Sequence, residues 1–139
     1  MDGLKSSWLV KHGSGVFVNP PYDDMMNWIE KATSEFKKNN QPIMMLVPAW
    51  HPESQWFQKG LKNSTHVVFI KKRLVHNELL RREPMGFGSA LFIFGGNLLG
   101  ERLSHLSELG EVLETAPYAK SRMLFAKNEG MRSGSRNAA

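Results

Sequence analysis

Two consecutive prolines, Pro20-Pro21, stand directly behind a short apolar run, Gly15-Val16-Phe17-Val18. Proline has no backbone N–H, so neither residue can extend a ladder, and the run has to stop there. β-Branched and aromatic residues between glycine and proline read as a short buried strand. The pattern recurs in Ile43-Met44-Met45-Leu46-Val47, which Pro48 ends. Between the two, Asp23 or Asp24 can cap a helix running to about residue 38, with Met25, Trp28, Ile29, Ala32 and Phe36 on one face. A second helix fits residues 53–61 and presents Trp56, Phe57 and Leu61 together. Residues 65–70 and 88–94 read as two further strands.

Strand, helix, strand, helix, strand is the alternation of an α/β protein with a mainly parallel sheet. The last two strands show no helical pattern between them, which predicts an antiparallel hairpin at one edge. Leu103, Leu106, Leu109 and Leu113 recur at helical spacing, so a helix is expected over residues 100–113. Residues 1–115 then form one α/β unit. The periodicity fades beyond Pro117, and residues 116–139, with Arg132 and Arg136, read as a weakly structured basic tail.

The chain has 139 residues, enough for one domain, and its 41% hydrophobic content fits a packed core rather than disorder. It has no cysteine, which excludes disulfides and thiolate metal sites. The five histidines show no metal-ligand spacing, so no metal site is expected. No apolar run approaches the roughly 20 residues that span a bilayer, and the N-terminus is not a signal peptide, so a cytoplasmic protein is expected. Eighteen Lys and Arg against 13 Asp and Glu leave a net charge of +5, which suits a polyanionic partner.

Open α/β sheets bind ligands at the carboxyl ends of their strands, and Asn19-Pro20-Pro21-Tyr22 falls there. An amino group conjugated to a base ring is a poor nucleophile, because its lone pair is delocalised. The Asn19 amide oxygen and the Pro20 carbonyl could accept its two hydrogens and favour a pyramidal, nucleophilic nitrogen. Two prolines would hold those acceptors stiffly in place. Tyr22 could stack on the face of a base taken out of its duplex. The same four residues also make an ordinary strand-to-helix turn. After the third strand, Lys71-Lys72-Arg73, and beyond them Arg81-Arg82, form a basic stretch able to contact phosphates or simply to be solvated. Trp50 and His51 could line the pocket or serve packing.

Several segments, in order and spacing, resemble the phage-type DNA N-6-adenine methyltransferases (Dam-like). They are Asp2-Gly3-Leu4 with Trp8, Val16 to Tyr22, Trp28 to Ala32, Met45 to Ala49, Trp56-Phe57, and Ser89 to Phe94. The resemblance covers about the first two thirds of the chain. It implies a partial Rossmann-like methyltransferase sheet, S-adenosylmethionine as methyl donor and adenine in double-stranded DNA as acceptor. It places Asn19, Pro20, Pro21 and Tyr22 on the family's catalytic motif, and the host cytoplasm as the site of action of a phage-encoded protein. It also starts at what is the middle of such an enzyme, so the donor-binding segment is expected to be missing.

Three accounts of that segment follow. The donor site has moved to the strand–glycine turn–helix at Gly95-Gly96 to Gly100, a partner chain supplies it, or the chain is an inactive remnant that binds DNA. Asn-Pro-Pro-Tyr also serves methyltransferases acting on RNA bases or protein amides, so the acceptor class stays open at this point.

Overall fold

The computed structural model describes residues 2–11, 15–71 and 88–137. Its elements run β1 (Val16–Val18), α1 (Met25–Asn39), β2 (Ile43–Pro48), α2 (Gln55–Asn63), β3 (His66–Ile70), β4 (Ser89–Phe94), α3 (Arg102–His105), β5 (Gly110–Glu114) and α4 (Ala116–Asn137). The five strands form one sheet in the order β1-β2-β4-β3-β5.

The fold is α/β, but the sheet is not mainly parallel. Only β1 and β2 pair in parallel; β2–β4, β4–β3 and β3–β5 are all antiparallel. Following these ladders across the sheet, β1, β2 and β3 point the same way, as the strand–helix alternation predicts. β4 returns between β2 and β3 instead of lying outside them, which turns one would-be parallel ladder into two antiparallel ones. The β3–β4 pair is antiparallel as expected, yet it lies inside the sheet, because β5 covers the outer side of β3. Among the described residues the edges are β1 and β5.

Alternation along the strands splits the core in two. Val18, Met45, Val47, Val67, Phe92 and Phe94 face α1 and α2, where they meet Met25, Ile29, Ala32 and Phe57. Met25, Ile29 and Ala32 recur at helical spacing, and Trp28 and Phe36 flank them partly buried. On the other face Val68, Leu91 and Ile93 meet Leu99, Leu103 and Leu106. Burying one such large side chain contributes roughly 1.5–3 kcal/mol.

The leucine spacing at 103–113 does not build one helix. Leu103 and Leu106 sit in α3 and a following 3-10 turn, and both pack on the sheet. The chain then turns at Gly110 into β5, where Val112 packs inward and Leu113 is exposed. A Cβ on Gly110 would run into the Phe69 carbonyl group, so this close strand approach requires glycine.

Residues 116–137, read from the sequence as part of a weakly structured tail, carry α4. Pro117 suits a first helical turn, and Ala, Lys, Arg, Met and Leu are good helix formers. The backbone N–H of Thr115 donates to the Thr65 carbonyl and its hydroxyl donates to that of Ser64, which ties the start of the helix to the body. Met123, Leu124 and Phe125 are exposed, so no buried stripe marks this helix in the sequence. Among the described residues no helix is long and apolar enough to cross a membrane.

The tightest helix–sheet contact is at Gly60, where an added Cβ would lie 2.7 Å from the Phe92 Cζ. Phe92 is fully buried on the central strand and packs edge-on against Phe57, with ring centroids 5.0 Å apart. It cannot retreat. Gly60→Ala is expected to destabilise the fold by about 1–3 kcal/mol, despite alanine's better helix propensity. A thermal melt in which Gly60→Ala matches or exceeds the parent would contradict this packing.

Candidate functional site

The end of the sheet where β1, β2 and β3 finish collects four features. Asn19-Pro20-Pro21-Tyr22 follows β1, Trp50-His51 follows β2, Lys71 follows β3, and Gly88 precedes β4. This is the carboxyl end of the parallel pair, where open α/β sheets bind ligands.

The chain leaves β1 through Asn19, which is exposed, and Pro20, which is buried. Pro21 is extended at φ −65° and ψ 146°, and Tyr22–Asp24 forms a 3-10 turn running straight into α1. Asp24 occupies the N-cap position without capping the backbone through its side chain; its Oδ1 accepts from the Asn27 Nδ2 instead, at 2.7 Å. Asn19, Pro20, Pro21 and Tyr22 together line an open recess of about 370 Å³. One buried proline anchors the turn, and a second with fixed φ carries it outward, so the recess wall has little backbone freedom. Tyr22 is 41% exposed, and the burial of the rest of its ring raises its phenol pKa.

Lys71 lies exposed at this end, its backbone N–H donating to the Leu109 carbonyl. Lys72, Arg73, Arg81 and Arg82 lie outside the described residues. Trp50 is 58% exposed and stands one strand over from the recess. His51 packs a tilted ring against it at 4.5 Å, and its Nδ1 hydrogen-bonds the Glu53 carboxylate at 2.9 Å.

The Gly95-Gly96 turn is at the other end of the sheet. β4 runs against β1 and β2, so Phe94 and the glycines lie at their starting ends. Six strand residues, roughly 20 Å, separate that turn from the Asn19 end. Its geometry is also spent internally. The Gly96 N–H donates to the Thr65 Oγ1 at 2.8 Å, and those of Leu98 and Leu99 donate to Gly95 and Gly96. Added Cβ atoms would strike Phe36 at Gly95 and His66 at Gly96. These glycines admit neighbouring side chains, not a ligand. A methyl donor held there could not reach an amino group held by Asn19.

A larger depression, about 600 Å³, lies between α1 and α2 and had no signal in the sequence. Its wall is mostly polar and charged, and the 2.9 Å Lys59–Glu30 ion pair bridges the two helices there. It holds no arrangement of groups suited to bond chemistry, and the smaller recess is the candidate site.

Fold and site define an α/β protein whose parallel strand pair ends in a rigid Asn-Pro-Pro-Tyr wall. A family model described as DNA N-6-adenine-methyltransferase (Dam) matches residues 1–132, nearly the whole chain. A DNA N-6-adenine-methyltransferase of Escherichia phage T1 is 32% identical over 108 residues, covering 72% of this chain. The chain belongs to the DNA N-6-adenine-methyltransferase (Dam) family. It spans 44% of the length of the phage T1 protein, a little under half. No solved structure matches it.

The partial burial of Tyr22 has a measurable sign. The chain has two tyrosines, so in Tyr118→Phe the remaining phenol is that of Tyr22. Its absorbance titration is expected to have a midpoint above the ordinary tyrosine value. The matching stability contribution is present below the ordinary value and is lost as pH rises through the elevated one. An ordinary midpoint would mean that the recess wall does not desolvate the ring.

Proposed function

We propose that this chain carries the base-holding part of an S-adenosylmethionine-dependent adenine-N6 DNA methyltransferase. The observation that supports this most directly is the stiff recess walled by Asn19, Pro20, Pro21 and Tyr22 at the carboxyl ends of a parallel strand pair. Family membership supports the reaction class, and the net charge of +5 suits DNA.

In this reading adenine leaves its stack and lies in the recess with Tyr22 against its face. The Asn19 side-chain oxygen and the Pro20 carbonyl oxygen accept the two N6 hydrogens. That draws the nitrogen lone pair out of the ring and directs it at the incoming methyl group. Both acceptors are fixed before the reaction, so little reorganisation is needed when charge develops. S-adenosylmethionine supplies the methyl group. With the donor bound, its methyl group would pass from sulfur to N6, and N6 would give up one proton.

The described residues contain no fitting cradle for the donor, since the glycine turn is at the wrong end. Among the described residues β1 pairs only with β2, and Phe17 on this edge strand is 62% exposed. A partner chain adding its sheet along that edge would stand beside the recess and could complete the donor site.

Transfer of labelled methyl from S-adenosylmethionine to unmethylated duplex DNA tests the proposal. Asn19→Ala is expected to lower the rate by about 100-fold or more, the scale of losing one preorganised hydrogen-bonding group. Undiminished transfer by Asn19→Ala would remove Asn19 from the mechanism. Transfer to RNA or to a protein amide but not to DNA would change the acceptor.

A further inference from the structure

Trp50 has no part in the chemistry above, yet it is the most exposed of the four tryptophans. Trp8, Trp28 and Trp56 are partly buried against the α1–α2 core. Trp50 is 58% exposed on the segment that follows β2. Leaving so large an apolar ring in water forfeits burial energy, and an exposed aromatic at a ligand-binding sheet end is a candidate contact.

Its surroundings hold it in place. Pro48 ends β2 buried, and the next backbone N–H, that of Ala49, donates to the Gly88 carbonyl at 2.9 Å. On the other side the His51 carbonyl accepts from the Ser54 N–H and hydroxyl, at 3.1 and 2.8 Å. The His51 ring packs against the indole, and Glu53 fixes that ring through the 2.9 Å hydrogen bond. Preorganised aromatic rings lose little freedom on binding.

β1 and β2 are neighbours, so Trp50 leaves the sheet about 5 Å from the strand that carries the recess. Lys71 follows β3, three strand spacings from β1, or about 14 Å, at the same end. The segments that carry the recess, Trp50 and Lys71 thus follow one another along this sheet end, an order that suits a base pocket, a contact to the neighbouring base and a phosphate contact further along.

We infer that Trp50 is a second aromatic contact for DNA, stacking on a base next to the adenine held at Asn19–Tyr22. This rests on the function proposed above. The probe is a short fluorescein-labelled duplex with one unmethylated adenine target, and the readout is anisotropy with the full chain. Trp50→Ala is expected to weaken binding about tenfold, and Trp50→Phe by less than about threefold, since base–aromatic stacking is tolerant of ring type. Removing the neighbouring base from the duplex should weaken the parent chain similarly and add nothing to Trp50→Ala. Trp50→Ala binding as tightly as the parent, or fully additive losses, overturns the Trp50 assignment and leaves Asn19–Tyr22 untouched. Failure of the parent chain to bind the duplex overturns both.

Discussion

All six residues of β4, Ser89 to Phe94, are buried. The strand pairs along its full length with β2 on one side and over four residues with β3 on the other. Its side chains alternate between the two cores: Ala90, Phe92 and Phe94 towards α1 and α2, Leu91 and Ile93 towards α3. A strand buried on both faces and paired on both edges has no exposed backbone to satisfy with water. It places β2 and β3 directly, and β1 and β5 through them. Gly60 of α2 and Gly95 of the following turn exist to let Phe92 and Phe36 approach their neighbours closely.

That central insertion also sorts the chemistry. Because β4 reverses direction between β2 and β3, the segments leaving β1, β2 and β3 gather at one end, while the segment leaving β4 emerges at the other. Asn19, Trp50 and Lys71 are far apart in sequence and share a sheet end. Gly95-Gly96 is followed by a helical turn, yet the Gly96 N–H goes to Thr65 and those of Leu98 and Leu99 go back to the turn itself. Residue types alone do not distinguish a glycine turn that cradles a ligand from one that cradles a side chain. The strand direction does.

The first four strands, α1 and α2 were legible because each hides one apolar face, or two, from water, and that leaves a period in the sequence. Strand order was not, because it depends on pairing between segments far apart in the chain, such as Ile43 with Phe94. β5 was misread because leucines at positions 103, 106, 109 and 113 fit a helical period while belonging to four different local structures. Gly110 was the one local sign of the break. Among the described residues, α4 packs near its start, through Tyr118 on His66 and Arg122 on Glu114, and that leaves no period. At the site, the Asn-Pro-Pro-Tyr turn was legible because proline acts on the backbone whatever surrounds it. The company it keeps at the sheet end required the topology.

The stiffness of that turn therefore comes from two unequal supports. On the inner side Val16 to Val18 are in register with Ile43 to Met45, and Pro20 is buried. On the outer side β1 is an edge, and its middle residue, Phe17, points to the same face as Met44 and Ile93 but stays largely in water. Three residues paired on one side make a weak ladder by themselves. The two prolines compensate locally by restricting the backbone just where the ladder ends. In the function proposed here the acceptors must stay fixed while N6 turns pyramidal, so a strand joining the outer edge would act on the rate even without touching the base.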